Sequence, residues 1–588
     1  MRRFLFAHTI DVYPQGGRRA AYLGLAIFDT VVLYYAYFTQ FGVTPNILAG
    51  YHMSFAFFIY IIVASNLLGA FASLAASRTD RIGRTNVIIY GLLVIGLLTA
   101  VGIPLTDGKW SFLVLNCLIG VVEGAILVAT PALVRDYSPQ LGRASAMGFW
   151  TIGPVAGSLV TSLVAVHTIN HFGPTHWKSQ FVISGCVALF AFLISLLWLK
   201  DLSEKIRDQL MVSARDQALV EARARGLTDQ ELVAASRHPW RQIVHWQLVV
   251  ASGGIAAFLL AYYAAASLFT TYYPVVFKNP NGTSFTPTQS NGLNTWFWAA
   301  DIIALIVAGV LSDALKVRKP FMLFGAIVAG VMLLVFLGDA TNPHTGYYTL
   351  ALQTSILAVG VGFVFAPWIA SFTEMVEAKN PALVATGLAL WGWVLRLVIG
   401  LSFLILPLVV TSVNPVVDNL PVADHIIHGQ SISDFVAEHP AVIDFAQTHG
   451  SLLALLAKDP AAAEAVATDP SPANIAAAAK VFGVSGLLQL NSYKTQLTTL
   501  VVPYTAQLAY INAHQAALAD LEKGVAQAPH QWQHWFYVDF AGMVIFTPVI
   551  WLMRGRWRPS LARRDAEEHE AAVSAELARL IGGQTVAT

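Results

Sequence analysis

The chain has 588 residues, of which 56% are hydrophobic and only 12% are charged, and its formal net charge at pH 7 is +1. Soluble domains usually carry about 25% charged residues, so this composition excludes an ordinary soluble globular protein. The near-neutral net charge says little about partners, because in a membrane protein the positions of the charges matter more than their sum. The sequence contains no visible nucleic-acid-binding surface, and we expect no nucleic-acid partner.

Long apolar runs recur along the whole chain. A run of roughly 20 apolar residues crosses a hydrocarbon core of about 30 Å as an α-helix. A helix satisfies its own backbone hydrogen-bonding groups, as a lipid environment requires, and runs this long exclude a membrane β-barrel. We therefore predict an all-α polytopic membrane protein within a lipid bilayer. Its twelve transmembrane helices are expected at about 20–43, 51–75, 86–103, 111–134, 144–166, 179–199, 247–273, 292–312, 320–338, 347–373, 383–411 and 536–553.

Lysine and arginine residues are concentrated in alternate loops between the predicted spans. The opposite short loops hold little beyond Lys109, Lys178 and Lys278. Because short loops rich in these residues face the cytoplasm, we expect a multi-pass protein of the cell (inner) membrane with both termini cytoplasmic. The basic residues on the predicted cytoplasmic side are Arg78, Arg81, Arg84, Arg135, Arg143, Lys316, Arg318 and Lys319, with those of the tail RGRWRPSLARR.

Two longer segments interrupt the alternation of spans and short loops. Residues 200–246 are charged and helix-forming, with Thr228 and Glu231 spaced as a capping box, and predict a helical linker. Residues 412–535 are rich in alanine and carry prolines between helical patterns, and predict a helical extramembrane insert between spans eleven and twelve. The predicted domains are a six-helix half at 1–199, the cytoplasmic linker at 200–246, a second half at 247–411 and 536–554, the periplasmic or extracellular insert at 412–535, and a cytoplasmic tail at 555–588.

The loops after the second and eighth spans share a pattern. The first reads ASRTDRIGRTNVIIYG and the second GVLSDALKVRKPFMLFG. Each has an aspartate at the exit of the span, Asp80 or Asp313, followed by basic residues and an apolar segment. The stretches after spans four and ten also align, with Pro139 matching Pro381. This repetition indicates two pseudo-symmetric six-helix halves, an arrangement typical of secondary transporters.

The repeated loop resembles the signature of the major facilitator superfamily, G-x-L-A-D-R-x-G-R-K between spans two and three. The first copy departs from it at Ala76 and Arg78, and the second copy supplies the G-x-L-x-D that the first lacks. The resemblance covers nearly the whole chain apart from the outer insert, and it implies a transporter with alternating access. The matching positions are Asp80, Arg81, Gly83 and Arg84 in the first copy and Gly309, Leu311 and Asp313 in the second.

The resemblance implies that this loop is a conformational latch. A carboxylate and guanidinium groups at the cytoplasmic end can pair with each other or with helix termini of the opposite half, which would hold the inner side closed. Arg135 and Asp136, at the end of span four, are candidates for the same cluster. The alternative is a solvated turn that only sets the orientation of the protein.

Four ionisable residues lie deep inside predicted spans: Asp29, Glu123, Asp301 and Arg396. Each costs roughly 2.5 to 3.5 kcal/mol on insertion scales, so each calls for a functional reason. In the family, spans one, four, seven and ten line a central cavity and spans two, five, eight and eleven flank it, so the resemblance places all four where they could face water. A carboxylic acid in a partly dry cavity can carry a proton, and Asp29 and Glu123 are the preferred carriers. The alternative for Asp301 and Arg396 is a structural pair within the second half.

Aromatic residues in the predicted cavity-lining and flanking spans indicate a site for an amphipathic or ring-bearing solute. Tyr262 and Trp391 are candidates for this cavity, although packing or lipid-facing roles are equally compatible with their positions. Span five contains GFWTIGPVAGS, a partial match to the glycine-proline pattern of antiporters in the family, with Gly153 and Gly157.

These observations favour a secondary active transporter that is coupled to protons and moves a small organic solute. The alternative is a membrane-anchored sensor or assembly protein whose outer insert is the working domain. We find no nucleotide-binding P-loop, zinc-type H-E-x-x-H or nucleophile elbow, and expect no enzyme activity, no cofactor and no metal site.

Overall fold

A computed structural model of the chain is helical almost throughout. It describes residues 9–10, 12–75, 83–137, 143–173, 176–203, 244–379 and 384–451, six positions between 459 and 469 (459, 461–462, 465–466 and 469), and 471–585. The predicted linker and the first part of the signature loop, including Asp80 and Arg81, lie outside these residues. Two pairs of two-residue strands are the exception to the helical fold in the described part: β1 (Thr9–Ile10) pairs in parallel with β2 (Asp201–Leu202), and β3 (Ile426–Ile427) pairs antiparallel with β4 (Gln430–Ser431).

The long apolar runs of the sequence form the helices. From the N-terminus to residue 198 these are α1 (Gly16–Gly42), α2 (Thr44–Gly50), α3 (Phe55–Ala75), α4 (Arg84–Leu97, continued to Leu105 by short π and 3₁₀ turns), α5 (Lys109–Tyr137), α6 (Arg143–Phe172) and α7 (Lys178–Trp198). From residue 246 they are α8 (Trp246–Phe258), α9 (Leu260–Ser267), α10 (Phe269–Val276), α11 (Pro287–Leu315), α12 (Lys319–Asp339), α13 (Tyr347–Lys379) and α14 (Val384–Val409).

Eleven of the described helices are long and apolar enough to cross a membrane, and the count rises to twelve when α8 and α9 are taken as one span. These two helices meet at Leu259 with a bend of 42°. The prediction of a polytopic helical membrane protein is therefore confirmed. The broken seventh span was predicted as one continuous helix, because its apolar residues run through the bend without a proline or a polar break.

The rest of the chain adds short helices and one very long one. They are α15 (Val413–Ala423), α16 (Ile432–Glu438), α17 (Pro440–Thr448), α18 (Pro472–Ser492), α19 (Lys494–Gln496, followed by π and 3₁₀ turns to Tyr504), α20 (Thr505–Ala513), α21 (Gln515–Leu552) and α22 (Pro559–Thr585). Helix α21 begins about 20 residues before the predicted span 536–553. Its polar first part is rich in alanine, leucine and glutamine, which are good helix formers, so the helix extends beyond its apolar part.

The chain divides into two compact units. One comprises residues 1–411 and 528–588, and the other is Ser412–Gln527. Within the second unit, apolar side chains of its helices form a separate core. The buried members of that core are Phe435, Val442, Phe445, Ala478, Phe482, Val501 and Leu508.

Within the first unit, four helix contacts place the candidate site. Helix α1 packs along α6, and α3 packs along α5. Helix α6 also packs against α11, and α3 against α14, so residues before the predicted linker at 200–246 contact residues after it. Helix α1 also contacts α5 and α9, so α1, α5, α9 and α14 lie around one region of the bundle.

Candidate functional site

Helices α3 and α5 approach each other through glycines. A Cβ added at Gly69 would lie 2.7 Å from the carbonyl oxygen of Gly120, and one added at Gly124 would overlap the carbonyl oxygen of Gly69. The Ser73 hydroxyl crosses the same contact and donates to the Gly124 carbonyl at 2.9 Å. Larger residues would force the two backbones apart. Glu123, which lies between the two α5 glycines, is therefore held at a fixed depth and orientation.

Glu123 forms an ion pair with Arg396. The Arg396 Nη2 lies 3.4 Å from the Glu123 Oε2, and the side chains are 14% and 7% exposed. Glu123 is on α5 and Arg396 is on α14, so the pair joins two segments that are 273 residues apart in sequence. The Arg396 Nη1 is buried and has no hydrogen-bond partner among the described residues. The pair therefore leaves one guanidinium donor unused.

Tyrosines surround this ion pair. The Tyr34 hydroxyl lies close enough to the Glu123 carboxylate to interact with it. Tyr37 and Tyr263 also lie close enough to interact with the Arg396 guanidinium. We call the set Glu123, Arg396, Tyr34, Tyr37 and Tyr263 the central cluster. It combines one acid, one base and three hydroxyls that can donate or accept hydrogen bonds.

The glycine-proline stretch of α6 sets the position of Tyr34. A Cβ added at Gly157 would lie 2.5 Å from the Tyr34 Cβ, and one added at Gly153 would lie 2.7 Å from the Thr30 Cγ2. These two glycines thus allow the α6 backbone to lie directly on α1. The motif that the sequence matched only in part acts here as a close-packing surface behind the central cluster.

Asp29 lies away from the central cluster. It is fully buried, and the Ser195 hydroxyl of α7 donates to both of its carboxylate oxygens, at 2.8 and 2.9 Å. Five residues separate Asp29 from Tyr34, which is about 140° around an α-helix. The depth of Asp29 along α1 could be counted from the sequence, but the direction of its side chain could not. The rotation around the helix directs Asp29 toward α7 and away from the central cluster.

Asp301 is not paired with Arg396, which contacts Glu123 instead, so the structural pair considered for them is wrong. Asp301 is 1% exposed and its Oδ1 has no hydrogen-bond partner in the described part of the chain. Tyr262 is close enough to interact with its carboxyl group. The centroid of the Tyr262 ring lies 5.1 Å from that of Trp298, and Trp298 is one turn before Asp301 on α11.

Trp391 packs among aromatic residues. Its ring centroid lies 5.9 Å from that of Phe365 and 5.7 Å from that of Trp368, both on α13. Its indole Nε1 is buried without a described partner. The contact joins α13 to α14 one and a half turns from Arg396, so Trp391 supports the helix that carries the guanidinium.

The described part of the first signature loop forms a buried ion pair. Gly83 has φ +95°, a backbone conformation that favours glycine, and it is the N-cap residue of α4. The next residue, Arg84, pairs through its guanidinium with Asp136 at the end of α5. Its backbone N–H donates to the Asp201 Oδ2 at 3.0 Å. The side chain of Arg135 lies outside the described residues.

The second signature loop repeats this arrangement. The Arg318 Nη1 lies 2.6 Å from the Asp313 Oδ1, and the Arg318 Nη2 lies 3.1 Å from the Glu374 Oε1 near the end of α13. Burial alone would lower the pKa of the Arg318 guanidinium, but the carboxylates of Glu374 and Asp313 raise it. Gly309 has open space where a Cβ would lie. In both loops an arginine at the start of one helix therefore pairs with an acid at the end of the next span.

The opposite ends of the helices carry a second set of contacts. The Thr270 hydroxyl of α10 donates to the Phe41 carbonyl at 2.6 Å, and the Asn291 Nδ2 of α11 donates to the Gly42 carbonyl at 2.8 Å. These carbonyls belong to the last turn of α1, where they have no partner within their own helix. These hydrogen bonds connect α1 to α10 and α11, which follow the predicted linker.

Three residues that stand out in the structure were not identified from the sequence. Glu374 and Ser195 are partners of residues that were predicted, and no local pattern identifies them. Asp539 is fully buried on α21 and neither of its carboxylate oxygens has a described partner. The available signal for it was an aspartate three residues inside the predicted twelfth span.

Comparison with known proteins finds partial sequence similarity to membrane transport proteins. The chain is 26% identical over 183 residues to the multidrug resistance protein MdtG of Escherichia fergusonii, and the matched region covers 30% of this chain and 42% of that relative. It is 23% identical over 311 residues to the cis,cis-muconate transport protein of Acinetobacter baylyi, covering 53% of this chain and 67% of the relative. The chain thus matches less than half the length of MdtG.

A solved structure has the same fold. A bacterial homologue of the human lysosomal transporter Spinster, in an inward-facing and occupied conformation, matches with a TM-score of 0.52 at 13% identity, covering 94% of this chain and 98% of that one. The family model described as Major Facilitator Superfamily matches residues 26–403, about two thirds of the chain. The chain belongs to the major facilitator superfamily.

Proposed function

We propose that the protein is a proton-coupled symporter that moves a small organic acid across the cell (inner) membrane by alternating access. Both termini would be cytoplasmic, and two six-helix halves, 1–199 and 247–411 with 536–554, would move against each other around the central cluster. The loops with Asp80, Arg81, Gly83, Arg84, Arg135 and Asp136, and with Gly309 and Asp313, would act as the cytoplasmic latch.

The ion pair between Glu123 and Arg396 carries this proposal. Two charges inside a membrane bundle are expensive unless they have a function, and these two are on helices from different parts of the chain. Protonation of Glu123 removes its charge and weakens its hold on Arg396. The guanidinium then needs another anion, because an unpaired buried charge is costly.

A carboxylate of the solute can take that place. The unused Arg396 Nη1, together with Nη2, would give the two parallel donors that a carboxylate accepts. A proton on Glu123 and a carboxylate on Arg396 then bind together, and both leave together when the cluster opens to the other side. This cycle is symport. One relative is named as a transporter of cis,cis-muconate, which is a dicarboxylate and fits the same chemistry.

The tyrosines would select and orient the solute. Tyr34, Tyr37 and Tyr263 offer hydroxyls beside the bound carboxylate, and Tyr262 and Asp301 lie next to them on the α9 side. Asp29 has Ser195 as its partner and would have a positioning role between α1 and α7 instead of carrying the proton.

Transport into proteoliposomes tests the proposal. We expect the wild-type protein to accumulate labelled cis,cis-muconate or a related carboxylate from a panel when the side of entry is made acidic. Glu123→Gln should lose this pH-driven accumulation and keep the exchange of internal for external solute. Asp29→Asn should keep accumulation, as should the control Glu438→Gln at an exposed position of the second unit.

Two results would contradict the mechanism. Accumulation by Glu123→Gln with unchanged dependence on pH would remove Glu123 as the proton carrier. Equal transport of neutral and carboxylate forms of the same solute would remove Arg396 as the site of recognition.

A further inference from the structure

Asp539 is the least satisfied acid in the described membrane helices. It is fully buried on α21, and both of its carboxylate oxygens are without a hydrogen-bond partner among the described residues. By contrast, Asp29 accepts from Ser195, Glu123 is paired with Arg396, and Asp301 has only one such oxygen. The mechanism proposed above does not use Asp539.

The neighbours of Asp539 on its own helix place it against the seventh span. Phe536, three residues before it, lies with its ring 5.0 Å from that of Tyr272 on α10. Gly542, three residues after it, lies so close to α8 that an added Cβ would overlap the carbonyl oxygen of Ala257. Residues three apart share a helix face, so Asp539 faces the segment between these two contacts. That segment contains the break at Leu259 and the helix α9.

Among the described residues, no charged group on the packed elements forms a hydrogen bond with Asp539. Helices α8, α9 and α10 contain no Asp, Glu, Lys, Arg or His, and their titratable groups are tyrosines. Helix α12, whose Phe336 ring lies 5.3 Å from that of Phe536, carries Lys319 and Asp339 at its two ends. On α21 itself His534 is exposed. A carboxylate here would be a buried charge without a partner, which proteins avoid by keeping the group protonated.

We propose that Asp539 is a second proton-binding site, separate from the central cluster, that holds a proton while α21 is packed on the broken seventh span. The proton passes to water when this contact opens, and the carboxylate then keeps the helices apart until a proton returns. The other neighbours of α9 are Asp301, beside Tyr262, and the central ion pair, beside Tyr263. A movement of α9 at the break therefore affects both sites.

Infrared spectroscopy of the full-length protein in lipid bilayers detects this proton directly. At neutral pH we expect the wild-type spectrum to contain a carbonyl stretch of a protonated carboxylic acid that is lost in Asp539→Asn, with no loss of carboxylate stretches. The matched control Asp434→Asn, at an exposed position, should lose carboxylate intensity instead. Glu123→Gln should keep the Asp539 band, so the failure of the transport mechanism and of this proposal are distinguishable.

A second variant covers the case in which Asp539→Asn does not fold. When aspartate carboxyl groups are labelled with ¹³C, the band of the protonated acid should shift in frequency in the wild type. In Asp539→Glu the acid at this position is an unlabelled glutamate, so its band should remain unshifted. Loss of carboxylate stretches in Asp539→Asn would overturn the proposal. Disappearance of the band on adding Na⁺ at constant pH would also overturn it, because the site would then be a cation site.

Hydrogen exchange tests the link to the break. In the wild type, the exchange rate of amides 255–268 should increase with pH by more than the intrinsic chemical rate does. This additional increase should be absent in Asp539→Asn. An equal excess in both proteins would show that Asp539 does not control the break.

Discussion

Glu123 and Arg396 meet at 3.4 Å although 273 residues separate them in the chain. Removing one partner of a buried pair leaves an unpaired charge, at a cost of about 3–5 kcal/mol. We expect Arg396→Leu to lower the free energy of unfolding by about this amount, and the double variant Glu123→Gln with Arg396→Leu to recover most of it. Denaturant titration measures the free energy of unfolding of the wild type, the two single variants and the double variant. Additive losses in the double variant would show that the two side chains are not coupled.

Gly124 should be intolerant of even one methyl group. Its Cβ would overlap the Gly69 carbonyl oxygen, so Gly124→Ala must separate α3 from α5. We expect a loss of about 1–3 kcal/mol, a cost typical of overpacked sites, and reduced folded yield. Gly400→Ala on α14 is the matched control, because nothing lies within 4 Å of its Cβ position. Thermal unfolding in detergent compares the two. Similar melting temperatures for both variants would contradict the close helix contact.

The two loop arginines should differ in their contribution to stability. Arg84 and Asp136 are 8% and 7% exposed, whereas the partners of Arg318 are 53% and 39% exposed. Arg84→Gln should therefore cost about 3–5 kcal/mol, and Arg318→Gln about 1 kcal/mol or less. Added salt should reduce the effect of Arg318→Gln and leave that of Arg84→Gln nearly unchanged. Unfolding curves at low and high salt measure both, and equal salt dependence would contradict the difference in burial.

The bonds that Thr270 and Asn291 donate to the end of α1 should favour the conformation described here. Thr270→Val with Asn291→Ala removes both, and we expect α1 to separate more often from α10 and α11. Labelling of a cysteine introduced at Thr39, which is 3% exposed, by a membrane-impermeant maleimide reports this opening. The rate should rise about 30-fold, because two lost bonds of about 1 kcal/mol each sum to about 2 kcal/mol and each tenfold change in rate corresponds to about 1.4 kcal/mol. Thr295→Ala, whose hydroxyl bonds within α11, should leave the rate unchanged.

The helices could be predicted because each needs its own apolar run, and the depth of Asp29, Glu123, Asp301 and Arg396 could be counted along those runs. The partner of each could not be predicted. Asp29 faces Ser195 and Arg396 faces Glu123, and these choices depend on how each helix is rotated in the bundle. That rotation is set by contacts such as those of Gly157 and Gly69, whose partners come from other spans.

The pairs at the signature loops could also be predicted only in part. The repeated aspartates and arginines predicted related roles for the two copies, and Arg84 with Asp136 and Arg318 with Glu374 form comparable pairs. Glu374 lies one turn from the position that the alignment of Pro139 with Pro381 indicates, so the second acid could not be assigned from the repeat. Asp80 and Arg81 lie outside the described residues, and their role as a latch stays a prediction.

Each of these arginines fastens the start of one helix to the end of the next span. Helices α4 and α5 are thereby joined at one end, and so are α12 and α13. In the proposed transport cycle, a solute that displaces α5 at Glu123 would therefore also move α4. Each joined helix pair would then move as one rigid body, and a displacement near the middle of the membrane would also displace the loop at the joined end.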